Sequence, residues 1–271
     1  MPVREEFQAS GRWLFRHREF LPVLLLLPVL WQAWRRAAAS GEVTLAWPVA
    51  CFVVSLLGLA FRAYTVGHAA PRSSGRDRDR FLAETLNTTG AYSLTRHPLY
   101  LSNVLMWMGP VLVAQSAWLV VVVALACWLF YERIILAEEE FLRQEFGATY
   151  LEWAGRTPAF LPSPRGWRRP ARPFNARAVL RREYSGFFQL SLVFVAINAL
   201  QWRAATGRWA LGPFWLGILL VGVTVAGLLR LLWKRTGLLR DALPQTKGPA
   251  RQSRTGPDVV AGDAGVPSRP T

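Results

Sequence analysis

Acidic residues, cysteine and histidine are scarce in this chain. Its 271 residues hold 17 aspartates and glutamates against 32 lysines and arginines, with two cysteines and three histidines. Cys51 and Cys127 both sit inside apolar runs and lack metal-ligand spacing, so neither a disulfide framework nor a zinc site is expected, and no other metal. The chain has no P-loop, no dinucleotide-binding glycine fingerprint, no HExxH and no nucleophile-elbow serine. The common soluble cofactor folds are thereby excluded. No internal repeat is present.

Charge is also missing locally, over long stretches. The formal net charge of +15 could suggest a nucleic-acid partner. Here, however, arginine-dense segments alternate with charge-free ones, and 52% of the residues are hydrophobic. Arginines on the cytoplasmic side of a membrane protein set its topology and meet anionic headgroups. The lipid bilayer is therefore the expected partner, and nucleic acid is not.

The apolar runs set the expected architecture: an all-α, polytopic transmembrane helical bundle of about six spans, with a cytoplasmic helix after span four. The first span is Phe20 to Trp34. Ala37-Ala38-Ala39 imitates a signal-peptidase site, but Trp31, Trp34, Arg35 and Arg36 crowd the segment before it, so the span is read as uncleaved. Val43 to Phe61 offers 19 residues without a charge, close to the 20 or so that a hydrocarbon core about 30 Å thick requires. Pro98 to Tyr131 has no Asp, Glu, Lys or Arg. As one helix it would be roughly 50 Å long, so two spans with a turn at Ala114-Gln115-Ser116 fit better. Gly109-Pro110 is expected to bend the first of these. Glu132 to Gly155 is rich in helix formers and should continue into the cytoplasm. Thr157 to Pro173 reads as a surface loop, Tyr184 to Trp202 and Trp209 to Leu229 as spans five and six, and the tail from Pro244 as disordered.

With both termini inside, 28 of the 32 basic residues fall on the cytoplasmic side, against Arg35, Arg36, Arg203 and Arg208 outside. The organisation is then 1–89, two spans and a cytoplasmic loop; 90–163, a core of helical hairpin plus cytoplasmic helix; 164–243, a two-span extension; and 244–271, the tail. No oligomeric state is read.

Two polar clusters flank the central hairpin on the cytoplasmic side. Arg96 and His97 stand at the mouth of span three, with Pro98 suited to the first turn of its helix. Ionisable groups at a membrane interface are costly and usually have a reason, although a water-facing histidine is a plain alternative. Glu132, Arg133, Glu138, Glu139 and Glu140 form the second cluster. Glu132 and Glu139 share a helix face, as do Arg133 and Glu140. The plain reading is a solvated face with local ion pairs. Leu142, Phe146-Gly147 and Tyr150 nearby show that this helix must also pack on something.

The ordered set Gly90-x-Tyr92-x-x-x-Arg96-His97-Pro98-x-Tyr100, then Arg133-x-x-x-x-Glu138-Glu139-x-x-Leu142-x-x-x-Phe146-Gly147-x-x-Tyr150, resembles the isoprenylcysteine carboxyl methyltransferase family, whose pattern phospholipid methyltransferases share. The resemblance covers residues 88 to 163. It implies an integral-membrane methyltransferase dependent on S-adenosylmethionine, acting on a lipophilic acceptor. It also implies a cytoplasm-facing cofactor pocket lined by Tyr92, His97, Pro98, Tyr100, Ser102, Glu138, Glu139 and Leu142. Many members carry glycine where this chain has Ser102. Leu-Tyr-Leu-Ser-Asn and Arg181-Arg182-Glu183-Tyr184 look more like bacterial members, some similar to enzymes that methylate a lipid A phosphate, which implies a bacterial inner membrane.

Physical chemistry adds the rest. Methyl transfer needs the acceptor in line with the methyl group in a dry site. A carboxylate or phosphate acceptor is already anionic, and an arginine would hold it. Arg96 and Arg133 are the candidates for that catalytic role. The competing readings are a membrane-embedded NADPH-dependent sterol reductase, similar at His-Pro-x-Tyr, and a non-catalytic membrane protein such as a carrier. Against a carrier, no expected span carries a charge.

Overall fold

The computed structural model describes residues 3–18, 21–71, 73, 81 and 83–236. Among these the regular structure is helical, and the expected disordered tail lies outside them. Helix α1 (Val3–Arg16) is amphipathic, with Glu5 and Glu6 in its first turn and Arg16 in its last, as the helix dipole favours. Helices α2 (Leu21–Leu24) and α3 (Leu26–Ser40) follow. The first expected span is thus broken at Leu25. Pro28 has no N–H to give the Leu24 carbonyl, which interrupts the ladder there. Residues 19 and 20, at the start of that expected span, are outside the described set.

Helix α4 (Ala46–His68) outruns the expected second span by seven residues. A charge at Arg62 read as the end of the span. The helix carries on because that charge is neutralised inside the bundle, by Glu183. After the short α5 (Ala91–Leu94) comes the expected hairpin: α6 (Pro98–Val113), a turn at 114–116, and α7 (Ala117–Arg156). Gln115 in the turn has φ 48°, and its side chain accepts a hydrogen bond from Arg36 at the far end of α3. α6 runs helical through Pro110. α7 is helical throughout except at Gly147 (φ 53°, ψ −125°), where the chain breaks direction in a conformation that a Cβ makes costly. A loop with a 3₁₀ turn at Pro164–Gly166 leads to α8 (Ala176–Thr206) and α9 (Pro213–Thr236), both longer than the apolar runs that announced them. Asn175 caps α8 by accepting from the Ala178 N–H at 3.0 Å.

Helices α4, α7, α8 and α9 are long and apolar enough to cross a membrane, and α6 is a shorter apolar helix. Large apolar side chains such as Leu57, Val121, Leu125, Leu129 and Leu220 are exposed along them, a surface suited to lipid. The interior has two cores. One joins Phe15 of α1 and Val29 of α3 to Val111 of α6 and Leu119, Val123, Tyr131 and Ile134 of α7. The other gathers Cys51 and Phe52, Leu190, Phe194 and Ile197 around Trp215, which is stacked on Phe194. Both cysteines are buried and free.

Helices α4 and α6 pack backbone to backbone. A Cβ on Gly109 would lie 2.0 Å from Ser55 Oγ and 2.4 Å from the Cys51 carbonyl. Gly109 therefore serves close approach. Ser55, fully buried, donates across the interface to the Met106 carbonyl at 2.7 Å, and Trp47 Nε1 donates to the Leu112 carbonyl at 2.9 Å. This contact fixes where the start of α6, and with it His97, stands against α4.

Candidate active site

The segment 89–96 is held in place by the loop after α7. Thr95, fully buried, donates from Oγ1 to the Ala159 and Phe160 carbonyls, both at 3.0 Å. The Arg96 N–H donates to the Pro158 carbonyl at 2.9 Å, and the Ser163 N–H to the Leu94 carbonyl at 2.9 Å. Gly90 N–H reaches the Arg168 carbonyl, while Arg168 N–H reaches Ser93 Oγ. Gly90 (φ 62°, ψ −133°) is the second position where a Cβ would strain the turn. Two segments about 65 residues apart are thus laced together, and His97 follows directly, with Pro98 at the first helical position of α6.

His97 is buried, and its ring lies between the two consecutive carboxylates of α7. Nε2 donates to Glu139 Oε1 at 3.1 Å, and Nδ1 is 3.4 Å from Glu138 Oε2. Arg96 Nε is 3.2 Å from the same Glu139 oxygen. Two cations thus face two carboxylates. Burial opposes charge on the His97 ring, but Glu138 and Glu139 outweigh it and raise its pKa above the usual 6.5. Glu139 is likewise opposed by burial, yet His97 and Arg96 lower its pKa below 4.5. The Glu138 Oε2 atom is buried without a hydrogen bond among the described residues. Beyond the Gly147 break, the chain returns so that Tyr150 is buried with its hydroxyl toward Glu139 and Arg96.

The pH dependence follows from these two shifts. His97 is raised, so its stabilising contribution is complete below 6.5 and is lost as pH climbs through the folded value. Glu139 is lowered, so its contribution is present above 4.5 and is lost as pH falls through the folded value. Melting temperature scanned from about pH 4 to 9 should show a plateau between the two limbs. His97→Gln should flatten the alkaline limb; an unchanged alkaline limb in that variant would assign it to another group.

The other expected site residues divide. The Tyr100 ring stacks on His97 at 5.6 Å and on Tyr131 at 5.1 Å, and it stands within the field of Glu138. Tyr92 is half-buried within the fields of Glu138, Arg62 and Arg182. Pro98 is buried beneath. Leu142 is half-buried one turn beyond Glu138. Ser102 is fully buried, but its hydroxyl turns back onto the Leu99 carbonyl of its own helix at 2.8 Å. Arg133 is not brought to the His97 cluster. Its guanidinium stacks 3.3 Å over the Phe7 ring of α1. Position 133 is some 140° around the helix from Glu138, at about 100° per residue. Glu132 is exposed.

Three polar residues were given no site role in the sequence reading. Arg62 of α4 donates from Nε to Glu183 Oε2 of α8 at 2.8 Å and from Nη1 to Asn103 Oδ1 of α6 at 2.6 Å. Glu183 is 6% exposed. The expectation that no span carries a charge is corrected here, because α4 and α8 extend past their apolar runs and bury this pair. The available signal was Asn103, the one asparagine among 34 uncharged residues, and Glu183 directly before an apolar run.

Next to Arg96 and Glu139 a cleft of about 460 Å³ opens between α7 and α1, with Arg143 and Tyr150 on one wall and Phe7 and Gln8 on the other. Its volume lies in the range of about 300–1,000 Å³ usual for small-molecule sites. Among the described residues, no group of three or more His, Cys, Asp or Glu could hold a metal ion.

Comparison with known proteins bears on this site. Residues 50–149 match the family model for phospholipid methyltransferase, so the match takes in α4 as well as the hairpin. The chain is 45% identical to a cobalt-zinc-cadmium resistance protein of Cupriavidus metallidurans over 29% of this chain and 36% of that one. It is 36% identical to a nickel-cobalt-cadmium resistance protein of Alcaligenes xylosoxydans over 42% of this chain and 50% of that one. It is also 36% identical to protein-S-isoprenylcysteine O-methyltransferase B of Arabidopsis thaliana over 28% of this chain and 39% of that one. The chain thus spans about a third to a half of the length of these relatives. No solved structure matches it. The stretch that carries His97 and the two glutamates is therefore similar both to the phospholipid methyltransferase family model and to a protein-S-isoprenylcysteine O-methyltransferase.

Proposed function

We propose that the chain is an integral-membrane methyltransferase that uses S-adenosylmethionine and acts on a lipophilic acceptor. The observation that carries this reading is His97 clamped between Glu138 and Glu139 beside a cleft at the end of an apolar hairpin. The residues fit such a donor. It presents ribose hydroxyls, an ammonium group and a cationic sulfur, all of which suit a pair of carboxylates. Glu138 Oε2, buried and short of a hydrogen bond, is an acceptor in want of a donor. When bound, this cofactor supplies an electrophilic methyl group. Glu138, Glu139, Tyr100, Tyr92 and His97 would hold it, with Pro98, Ser102 and Leu142 as apolar or backbone support.

The protein's task is then positioning and the exclusion of water. Arg96, which lines the cleft and pairs with Glu139, is better placed than Arg133 for the catalytic role. The basic-residue count supports a site and both termini on the cytoplasmic side of a bacterial inner membrane. Residues 90–163 would form the catalytic core, and 164–243 would shape acceptor choice.

The test is equilibrium binding of S-adenosylhomocysteine to detergent-purified protein, with NADPH alongside. Wild type should bind the adenosyl ligand. Glu139→Ala should weaken it about 10- to 100-fold, the loss of one charge-assisted hydrogen bond. Binding of NADPH alone would replace this reading with the reductase. Arg133→Ala should retain adenosyl binding within about threefold. It should lower stability by roughly 0.5–2 kcal/mol through lost stacking on Phe7. Abolished turnover with unchanged cofactor affinity in that variant would return Arg133 to a role on the acceptor.

A further inference from the structure

The Arg62–Asn103–Glu183 group is not used by the cofactor reading, yet it is built like a receptor. Arg62 is anchored through Nε and Nη1, while Nη2 has no partner among the described residues and the side chain is 29% exposed. Glu183 is 93% buried by the same measure; Oε2 is used by Arg62, and Oε1 has no hydrogen-bond partner among the described residues. A free donor edge and a free buried acceptor thus stand side by side. Leu59 and Met106 pack beside the pair: a Cβ built on Gly186 would meet Leu59 at 3.4 Å, Glu183 Oε2 at 3.6 Å and Met106 at 3.8 Å, so glycine leaves the space of one methyl group beside the carboxylate.

Asn103 and Arg62 both act on Tyr131, whose ring stacks on Tyr100, and Tyr100 in turn stacks on His97 of the candidate active site. Glu183 belongs to α8, outside the residues 50–149 that match the family.

We infer that Arg62 and Glu183 form the recognition site for the head of the lipophilic acceptor, a group carrying an oxyanion and an N–H donor a few bonds apart. The oxyanion meets the free edge of Arg62, and the N–H meets Glu183 Oε1. An isolated anion would leave Glu183 Oε1 unsatisfied, and an isolated amine would leave Arg62 facing nothing. An aminophospholipid and an N-acylated prenylcysteine both present this pairing. The inference rests on the methyltransferase reading for the word acceptor, but the lipid site can be tested without it.

The experiment is native mass spectrometry of the full chain in detergent with phosphatidylethanolamine, N-acetyl-S-farnesylcysteine or phosphatidylcholine, the last having the phosphate but no N–H. Wild type should retain one of the first two at least tenfold more tightly than phosphatidylcholine, and which one it retains names the source. Glu183→Gln should lower that preference about tenfold and leave S-adenosylhomocysteine affinity within twofold. A structural tie between α4 and α8 would behave differently. Under that role, the exchange Arg62→Glu with Glu183→Arg would restore both melting temperature and preference, whereas recognition predicts restored melting temperature alone. Wild type without preference, or Glu183→Gln with full preference, overturns the inference. Wild type that prefers the N–H lipid yet fails to bind S-adenosylhomocysteine would overturn the methyltransferase reading and leave the lipid site standing.

Discussion

His97→Ala is expected to abolish binding of S-adenosylhomocysteine and to destabilise the protein markedly. The ring is 3% exposed and separates two adjacent carboxylates that are themselves mostly covered. Without it, Glu138 and Glu139 share one cation, Arg96. Removing one member of a buried ionic cluster costs about 3–5 kcal/mol, because the remaining charges are left uncompensated. The carboxylates keep 28% and 22% exposure, so solvent screening should hold the cost near the lower end of about 3–5 kcal/mol. Calorimetric binding and thermal melting read both effects. A variant that melts and binds like the wild type would mean that the cluster is held together by water rather than by His97.

Gly109→Val is expected to prevent folding into this structure. The valine Cβ alone would overlap Ser55 Oγ and the Cys51 carbonyl, and backbone cannot swing aside as a side chain can. Helices α4 and α6 would have to part, and the 2.7 Å bond from Ser55 to Met106 would break with them. Overpacking commonly costs about 1–3 kcal/mol, and contact against backbone should exceed that. The consequence reaches the site, since the same interface sets the start of α6 beneath His97. Gly155→Ala is the control: nothing lies within 4 Å of its added Cβ, and alanine favours helix by up to about 1 kcal/mol. Size-exclusion behaviour and melting temperature of the two variants should diverge. A well-folded Gly109→Val protein would show that the two helices can separate without loss.

How much of this was legible differs by residue. His97, Glu138 and Glu139 were named as site residues through the family resemblance, because their spacing alone left a solvated helix face as the plainer reading of the glutamates. The turn at 114–116 followed from length, since 34 uncharged residues exceed one bilayer crossing. The break at Gly147 was not read, because a glycine inside a helix-forming stretch is tolerated as often as it ends the helix, and only φ and ψ decide. Arg133 was assigned by its place in a motif, whereas its side chain went to the face that meets α1. Ser102 lies in the motif, yet its hydroxyl is taken by its own helix.

By itself the sequence determined that the chain is helical, that its charge-free runs suit lipid, and that one histidine and two glutamates are concentrated around the hairpin. These follow from composition and period, which act locally along the chain. Only the tertiary structure decided that Arg62, Asn103 and Glu183, from three helices, share one buried site, and that Thr95 is laced to Ala159 and Phe160. Such pairings depend on which helix faces meet. Helix faces meet where glycines allow close approach and where buried charges find partners, and neither condition is written in any one stretch of the chain.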